Sequence, residues 1–257
     1  LPLPSGIHRL GTPFIELPSV DSTNNYALGQ IHANMAQPGT CYFAHEQTSG
    51  KGQRGKSWAT ERGTNIVLSI VIKPDFLQPF QQFQLSACVA VGARQFFSEY
   101  DNDSLKIKWP NDIYWRDQKL GGILIENMIR SYAQRGGNWD WAVVGIGVNI
   151  NQTNFAAELK NPVSLKQITG TSFNQIELAK KLCISIDGFY KRLVNKETNA
   201  ILEMYNQFLY KKGEMVKLKK GNRIFSGMIK NVTPTGQLIV QHSVEEQFDF
   251  GEIEWLI

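Results

Sequence analysis

"LKIKWPNDIYWRDQKLGGILIENMI" (residues 105–129), taken up again by "WDWAVVGIGVNIN" (139–151), decides the fold. Apolar and polar residues alternate in short runs, and turn residues at Asn111-Asp112, Arg116-Asp117 and Arg135-Gly136-Gly137 separate them. Runs of this kind read as strands. They predict a mixed or antiparallel sheet, and the helical stretches on either side predict the layer that backs it, an α+β arrangement.

Upstream, "TCYFAHEQ" (40–47) and "TNIVLSIVIK" (64–73) read as two further strands, and "FQQFQLSACVAVGARQFFSEY" (80–100) repeats apolar residues at helical spacing. "VDSTNNYALGQIHANMAQPG" (20–39) reads as a short helix ending before Pro38-Gly39. Downstream, residues 174 to 209 return to helical periodicity through Ile176, Ala179, Leu182, Ile186 and Phe189, then Ile201 and Tyr205. After Lys211-Lys212-Gly213 the texture changes to about five short alternating segments with Gly, Asn and Pro turns, the mark of a small β-barrel. Two domains are therefore expected, 1–210 and 211–257.

Composition narrows the function classes. Of 257 residues, 42% are hydrophobic and 19% charged, which suits a chain with a sizeable core, and the net charge of +4 is too small for a nucleic-acid-binding stripe. No helix-turn-helix pattern is present, and the first candidate motif begins at residue 21, so no DNA-binding module is expected ahead of it. Cys41, Cys88 and Cys183 stand far apart among apolar neighbours and read as buried free thiols. "LPLPSGIHRL" lacks the order of a signal peptide, and no apolar run approaches the roughly 18 residues of a membrane span, so a cytoplasmic protein is expected.

"GKGQRGKSW" (50–58) fits G-x-G-x-x-G and G-x-x-x-x-G-K-S at once. Both patterns need a helix directly after the glycines. Here "WATERG" offers barely one turn before a β run, so both matches are spurious. What remains is a flexible strand-to-strand loop carrying Lys51, Arg54 and Lys56, either a solvated surface loop or a lid over an anionic ligand.

Four more stretches have two readings each. Ser22, Thr23 and Asn24 cap a helix or hydrogen-bond a small polar head group. Asn111 and Asp112 form a turn after a half-exposed strand, or read an adenine and hold Mg²⁺. Lys119 is a solvated turn lysine, or the charge stabiliser at a place where Gly121-Gly122 lets a ligand reach backbone. Gly145 and Gly147 bare one strand face, with Asn149 next on it, for a helix or for a flat ligand. The four histidines show no metal-ligand spacing.

Together and in order, "DSTN", "EQTSGKGQRGKSW", "KWPNDI", "KLGGILIE" and "GIGVNIN" resemble the biotin protein ligases. The resemblance implies a catalytic domain like that of class II aminoacyl-tRNA synthetases with an SH3-like C-terminal barrel, of the monofunctional kind without a DNA-binding domain. It implies that biotin attacks MgATP to give biotinyl-5′-AMP, and that a lysine of a biotin carboxyl carrier protein then takes the biotinyl group. Carried over by motif, Ser22, Thr23, Asn24 and Gln47 would hold biotin, with Gly50, Lys51, Gly52, Gln53, Lys119 and Gly122. Lys51, Gln53, Arg54, Trp58, Asn111, Asp112 and Asn149 would meet ATP or the adenylate. Lys119, Asp112 and Arg54 would carry the chemistry. No motif supplies a protein metal site, and Mg²⁺ would come with ATP, near Asp112. Neither DNA nor membrane is an expected partner, and the oligomeric state expected is a monomer or weak homodimer.

The family loop usually reads G-R-G-R, whereas Lys51 and Gln53 stand at its two arginine positions here. The first change keeps charge without the planar fork and the second removes charge. Arg54 or Lys56 would then partly substitute, with weaker retention of biotinyl-AMP. The rival readings are a lipoate-protein ligase and a non-catalytic biotin sensor.

Overall fold

The computed structural model describes residues 8–132 and 136–256. Its elements include twelve strands and five α-helices. A seven-stranded sheet runs in the order β1-β2-β3-β7-β6-β5-β4. Its strands are β1 (Phe14–Leu17), β2 (Cys41–Ala44), β3 (Ile66–Ile72), β4 (Leu105–Lys108), β5 (Asp112–Trp115), β6 (Gln118–Tyr132) and β7 (Gly136–Val148). Only β1 and β2 pair in parallel; the other ladders are antiparallel, so the sheet is mixed, as the alternating block predicts. Arg135 of the expected third turn, like the first seven residues, lies outside the described residues.

Alternation sorts the strands' side chains to two faces. On one face the apolar side of α1 (Thr23–His32), Ala27 and Ile31, packs on Tyr42, Val71 and Val143. On the other, α2 (Gln82–Phe97) and α4 (Gln175–Val194) pack on each other and on the sheet. Burial on both faces is why all seven residues of β3 are inaccessible to solvent. A five-residue helix, α3 (Leu165–Thr169), and strand β1 are too short to leave a periodic signal, and sequence reasoning does not anticipate them.

After α5 (Thr198–Gln207) comes a second, antiparallel sheet of β8 (Met215–Lys220), β9 (Arg223–Val232), β10 (Leu238–Gln241), β11 (Glu245–Phe248) and β12 (Glu254–Trp255). Its order is β11-β10-β9-β8-β12, and among the described residues the end strands are not ladder partners of each other. Its apolar side, with Leu218, Ile229, Val232 and Phe248, shares one core with Ile107, Tyr205 and Leu209. Asn206 also exchanges two hydrogen bonds with the backbone of Val232, at 2.9 and 2.6 Å. All three cysteines are buried and free. Among the described residues, no helix is long and apolar enough to cross a membrane.

Candidate active site

The sheet register assembles the site. Val67, Gly147, Gly122, Asp112 and Lys108 stand opposite one another in a single row across β3, β7, β6, β5 and β4. The next row on the same face carries Ser69, Gly145 and Leu124. Helix α1 covers part of this face, and a cleft of about 880 Å³ opens over the rest. Residues from five strands thus share its floor because the ladders hold them in register, and a bulge in the β5–β6 ladder, which skips Leu120 and sets Lys119 opposite Tyr114, brings Lys119 to the same face.

At the α1 end the floor is polar and buried. Ser22 is the N-cap of α1 but makes no side-chain capping bond, so its expected capping role is not the one observed. Instead Gln47 Oε1 accepts from Thr23 N (2.8 Å) and Thr23 Oγ1 (3.1 Å). Ser69 Oγ donates to Asn24 Oδ1 at 2.6 Å and lies 2.7 Å from Thr23 Oγ1. Asn24 Nδ2 donates to Glu126 Oε2 at 2.7 Å, and the other oxygen of Glu126 lies 3.8 Å from Lys51 Nζ. Asn24 fills the space that a side chain at Gly145 would need. Ser22, Thr23 and Asn24 are only 2–3% exposed, yet they line the cleft, so donors and acceptors are fixed there before a ligand arrives.

Further along, Lys119 Nζ lies 2.8 Å from Asp112 Oδ2 and 5.5 Å from the ring centre of Trp58. A methyl group at Gly122 would stand 3.2 Å from Asp112 Oδ1 and 3.3 Å from Lys119 Nζ, so only glycine leaves that pair its full approach to the floor. The Trp58 indole lies on Gly147, where a Cβ would come within 2.5 Å of the ring. Its buried Nε1 has no hydrogen-bond partner among the described residues. Three bonds hold the turn that delivers Asp112: Tyr205 Oη to Pro110 O (2.8 Å), Trp109 Nε1 to Gly236 O (2.9 Å), and Asn111 Nδ2 to Ile123 O.

The glycine loop is a tight hairpin. Lys51 and Ser57 bridge its arms, Gly52 N donates to Lys56 O (2.6 Å), Trp58 N donates to Gly50 O (2.8 Å), and Gln53–Gly55 form a 3-10 turn at the tip. No α-helix follows, in keeping with rejection of both phosphate-loop patterns. Lys51, Gly52, Gln53, Arg54 and Lys56 all line the cleft. Arg54, in a left-handed conformation (φ 55°), donates from Nη1 to Gly251 O of the C-terminal sheet region at 3.2 Å.

The structure places two of the expected residues outside the cleft lining and gives two others within it a protein partner. Asn149 does not line the cleft: its Nδ2 donates to Val163 O (3.2 Å) and Lys119 O (3.5 Å), which ties down the start of β6. Gly50 is likewise absent from the lining and is packed between Trp58 O and Gln47 Nε2. Arg54 is turned to Gly251, which leaves Lys56 as the hairpin cation whose charge acts on Lys108. Asp112 lines the cleft and is paired with Lys119, and among the described residues no group of three His, Cys, Asp or Glu side chains stands together as a metal site.

Sequence reasoning missed Ser69, Glu126 as a partner of Asn24, and Lys108. Ser69 was legible as the one polar residue in "IVLSIVI". Lys108 reads as an exposed strand position, but it lines the cleft and donates to Tyr114 Oη at 3.0 Å. Burial pushes its ammonium down to about 8; Asp112 pulls the other way, while Lys119, Lys56 and Lys160 add to the fall.

Residues 16–149 match the biotin/lipoate A/B protein ligase family. The bifunctional ligase/repressor BirA of Bacillus subtilis is 28% identical over 82% of the chain and 64% of its own length, so the chain spans less than two thirds of that relative. The biotin–[acetyl-CoA-carboxylase] ligase of Paracoccus denitrificans is 26% identical over 88% of the chain and 92% of its own length. Among solved structures, the biotin protein ligase of Aquifex aeolicus in complex with biotin and ATP aligns over 95% of this chain and 98% of that one, with a TM-score of 0.78 at 24% identity. That likeness establishes the fold.

Proposed function

Because the chain belongs to the biotin/lipoate A/B protein ligase family, we propose that its cleft joins biotin to ATP as biotinyl-5′-AMP and passes the biotinyl group to a lysine of a biotin carboxyl carrier protein. The observation that carries this reading is the order of chemistries along one floor: a buried neutral polar end, then the Lys119–Asp112 pair, under a cationic hairpin. A ureido ring suits the fixed donors and acceptors of Thr23, Asn24 and Gln47, with Ser22 beside them. The vitamin's carboxylate then extends over Gly122 to Lys119. Trp58 and Asn111 take the adenine, and Lys51, Lys56 and Lys119 face the phosphates. Mg²⁺ enters as part of MgATP rather than at a protein site.

In the first step a carboxylate oxygen attacks the α-phosphorus and pyrophosphate leaves. Two anions must meet, so the cations are needed to offset their repulsion and hold them in line. In the second step the carrier lysine amine attacks the acyl carbon and AMP leaves. The hairpin, as a lid, keeps water from the acyl-adenylate between the steps. The reading includes a division near residue 211, a cytoplasmic location and a monomer or weak homodimer. Two of the proteins named above, those of Paracoccus denitrificans and Aquifex aeolicus, are biotin ligases, which favours biotin over lipoate.

The test is ATP-dependent transfer of biotin to a carrier-protein domain, with pyrophosphate followed in parallel, for wild type and Lys119→Ala. Both signals are expected from wild type and neither from the variant. Biotin binding without pyrophosphate from wild type would overturn the enzyme reading. Gln53→Arg is expected to slow the escape of free biotinyl-AMP; equal escape would remove the role given to Gln53.

A further inference from the structure

The far wall of the cleft comes from the C-terminal sheet, through Phe250, Gly251, Ile253 and Trp255. Trp255 sits in the two-residue strand β12, paired to Leu218 of β8, and the next residue anchors it, Leu256 N donating to Lys217 O at 3.0 Å. Its ring meets Tyr210 at 5.9 Å between centroids. Its Nε1 is buried with no hydrogen-bond partner among the described residues, so packing rather than hydrogen bonding holds the indole.

That ring faces Lys108. The Lys108 Nζ lies 5.6 Å from the Trp255 centroid and 4.6 Å from the Tyr114 centroid, and it donates to Tyr114 Oη at 3.0 Å. One ring belongs to β5 of the main sheet and the other to β12 of the C-terminal sheet. In register, Lys108 stands directly opposite Asp112, so the clamped ammonium is beside the Lys119–Asp112 pair. The charged groups acting on it are Asp112 from β5, Lys119 from β6, Lys56 from the hairpin and Lys160 from the segment before α3. A lysine has a flexible four-carbon stem and a strongly hydrated head, so in such company it would swing to water unless something held it. Aromatic faces can do so, because they attract a cation while excluding water.

We propose that Trp255 is a positioning residue: with Tyr114 it clamps the Lys108 ammonium over the floor of the cleft, and this is what the C-terminal sheet contributes to the site. The geometry stands by itself; the catalytic consequence rests on the adenylation reading, to which Lys108 adds a fourth cation facing the phosphates beside Lys51, Lys56 and Lys119. Removing the indole admits water to the ammonium, which returns towards the ordinary lysine range and loses its fixed position.

The experiment is a pH titration of the full chain labelled with ¹³C at lysine Cε, the Lys108 signal being assigned by its loss in Lys108→Arg. Wild type is expected to titrate near 8. Trp255→Leu is expected to titrate at least about one unit higher, and Trp255→Phe, which keeps a ring, within about half a unit of wild type. A wild-type Lys108 titrating in the ordinary lysine range, which needs no variant, would overturn the clamp; so would an unchanged midpoint in folded Trp255→Leu. Pyrophosphate release from biotin and ATP, read on the same samples, is expected to fall above pH 8 in wild type, with that limb moved up and the KM for ATP raised in Trp255→Leu. No pyrophosphate from wild type would fail the adenylation reading and leave the titration to decide the clamp. Normal release with an unmoved titration would fail the clamp alone.

Discussion

Asp112 and Gly122 face each other across β5 and β6, and Lys119, the second residue of β6, reaches the carboxylate at 2.8 Å through space that a side chain at Gly122 would crowd. Asp112 thereby fixes the lysine that the reaction needs. Asp112→Asn keeps the shape and removes the charge partner. Pyrophosphate formation is expected to drop roughly 10²–10³-fold, the scale of losing one preorganised electrostatic group, with little change in biotin affinity. Calorimetric biotin binding beside a pyrophosphate assay checks this; equal rates for the two proteins would remove Asp112 from the reaction.

Gly147 is the seat of Trp58. In Gly147→Ala the new methyl overlaps the indole, which must lift off the floor. A displacement near 1 Å at a substrate-positioning group costs on the order of 10²-fold, so kcat/KM for ATP is expected to fall by about that factor. The dissociation constant of biotin, bound at the other end of the floor, should stay within about twofold. Steady-state kinetics at varied ATP, with biotin affinity measured separately, makes the comparison.

Ser69 joins Thr23 and Asn24 from the strand beneath them and is fully buried. Ser69→Ala leaves the Asn24 amide oxygen without its donor, a loss of about 1–3 kcal/mol. Part should appear as lower stability in urea and part as weaker biotin binding, because Asn24 is no longer held in one orientation. Stability unchanged in urea together with unchanged biotin affinity would show that the contact contributes to neither.

Lys108 sets a dependence of stability on pH. Its folded-state pKa, about 8, lies below the unfolded value, so between the two the unfolded chain holds a proton that the folded chain lacks, and stability rises with pH. Below pH 8 the buried charge opposes folding by up to about 3 kcal/mol. Lys108→Met is therefore expected to be more stable than wild type at pH 7, with the gap narrowing towards pH 10, while pyrophosphate formation is lost. Urea unfolding at the two pH values tests the sign.

The strands around Lys108, Asp112 and Gly122 were legible because alternation and turn residues are local signals, and residues of the motifs "DSTN", "KWPND" and "KLGG" line one cleft. Which face of a strand meets a ligand is not local. Lys108 reads as solvated until Trp255, far away in the chain, is laid over it. Asn149 reads as a ligand-facing amide until the carbonyls of Val163 and Lys119 take its nitrogen. Arg54 reads as a free cation of the loop until Gly251 O, from the segment between β11 and β12, takes its Nη1. In each instance a partner distant in sequence settles the direction of the side chain.

The row Val67–Gly147–Gly122–Asp112–Lys108 also determines which inherited changes the cleft survives. Point substitutions alter one tile of the floor and leave its neighbours in place. A single-residue insertion in β7 ahead of Val144, by contrast, carries Gly147 and Gly145 to the opposite face and puts Ile146 beneath Trp58 and Val144 beneath Asn24. An added residue is therefore compatible with the floor at the strand ends or where a bulge absorbs it, as the β5–β6 and β6–β7 ladders do, but not between the positions of the row.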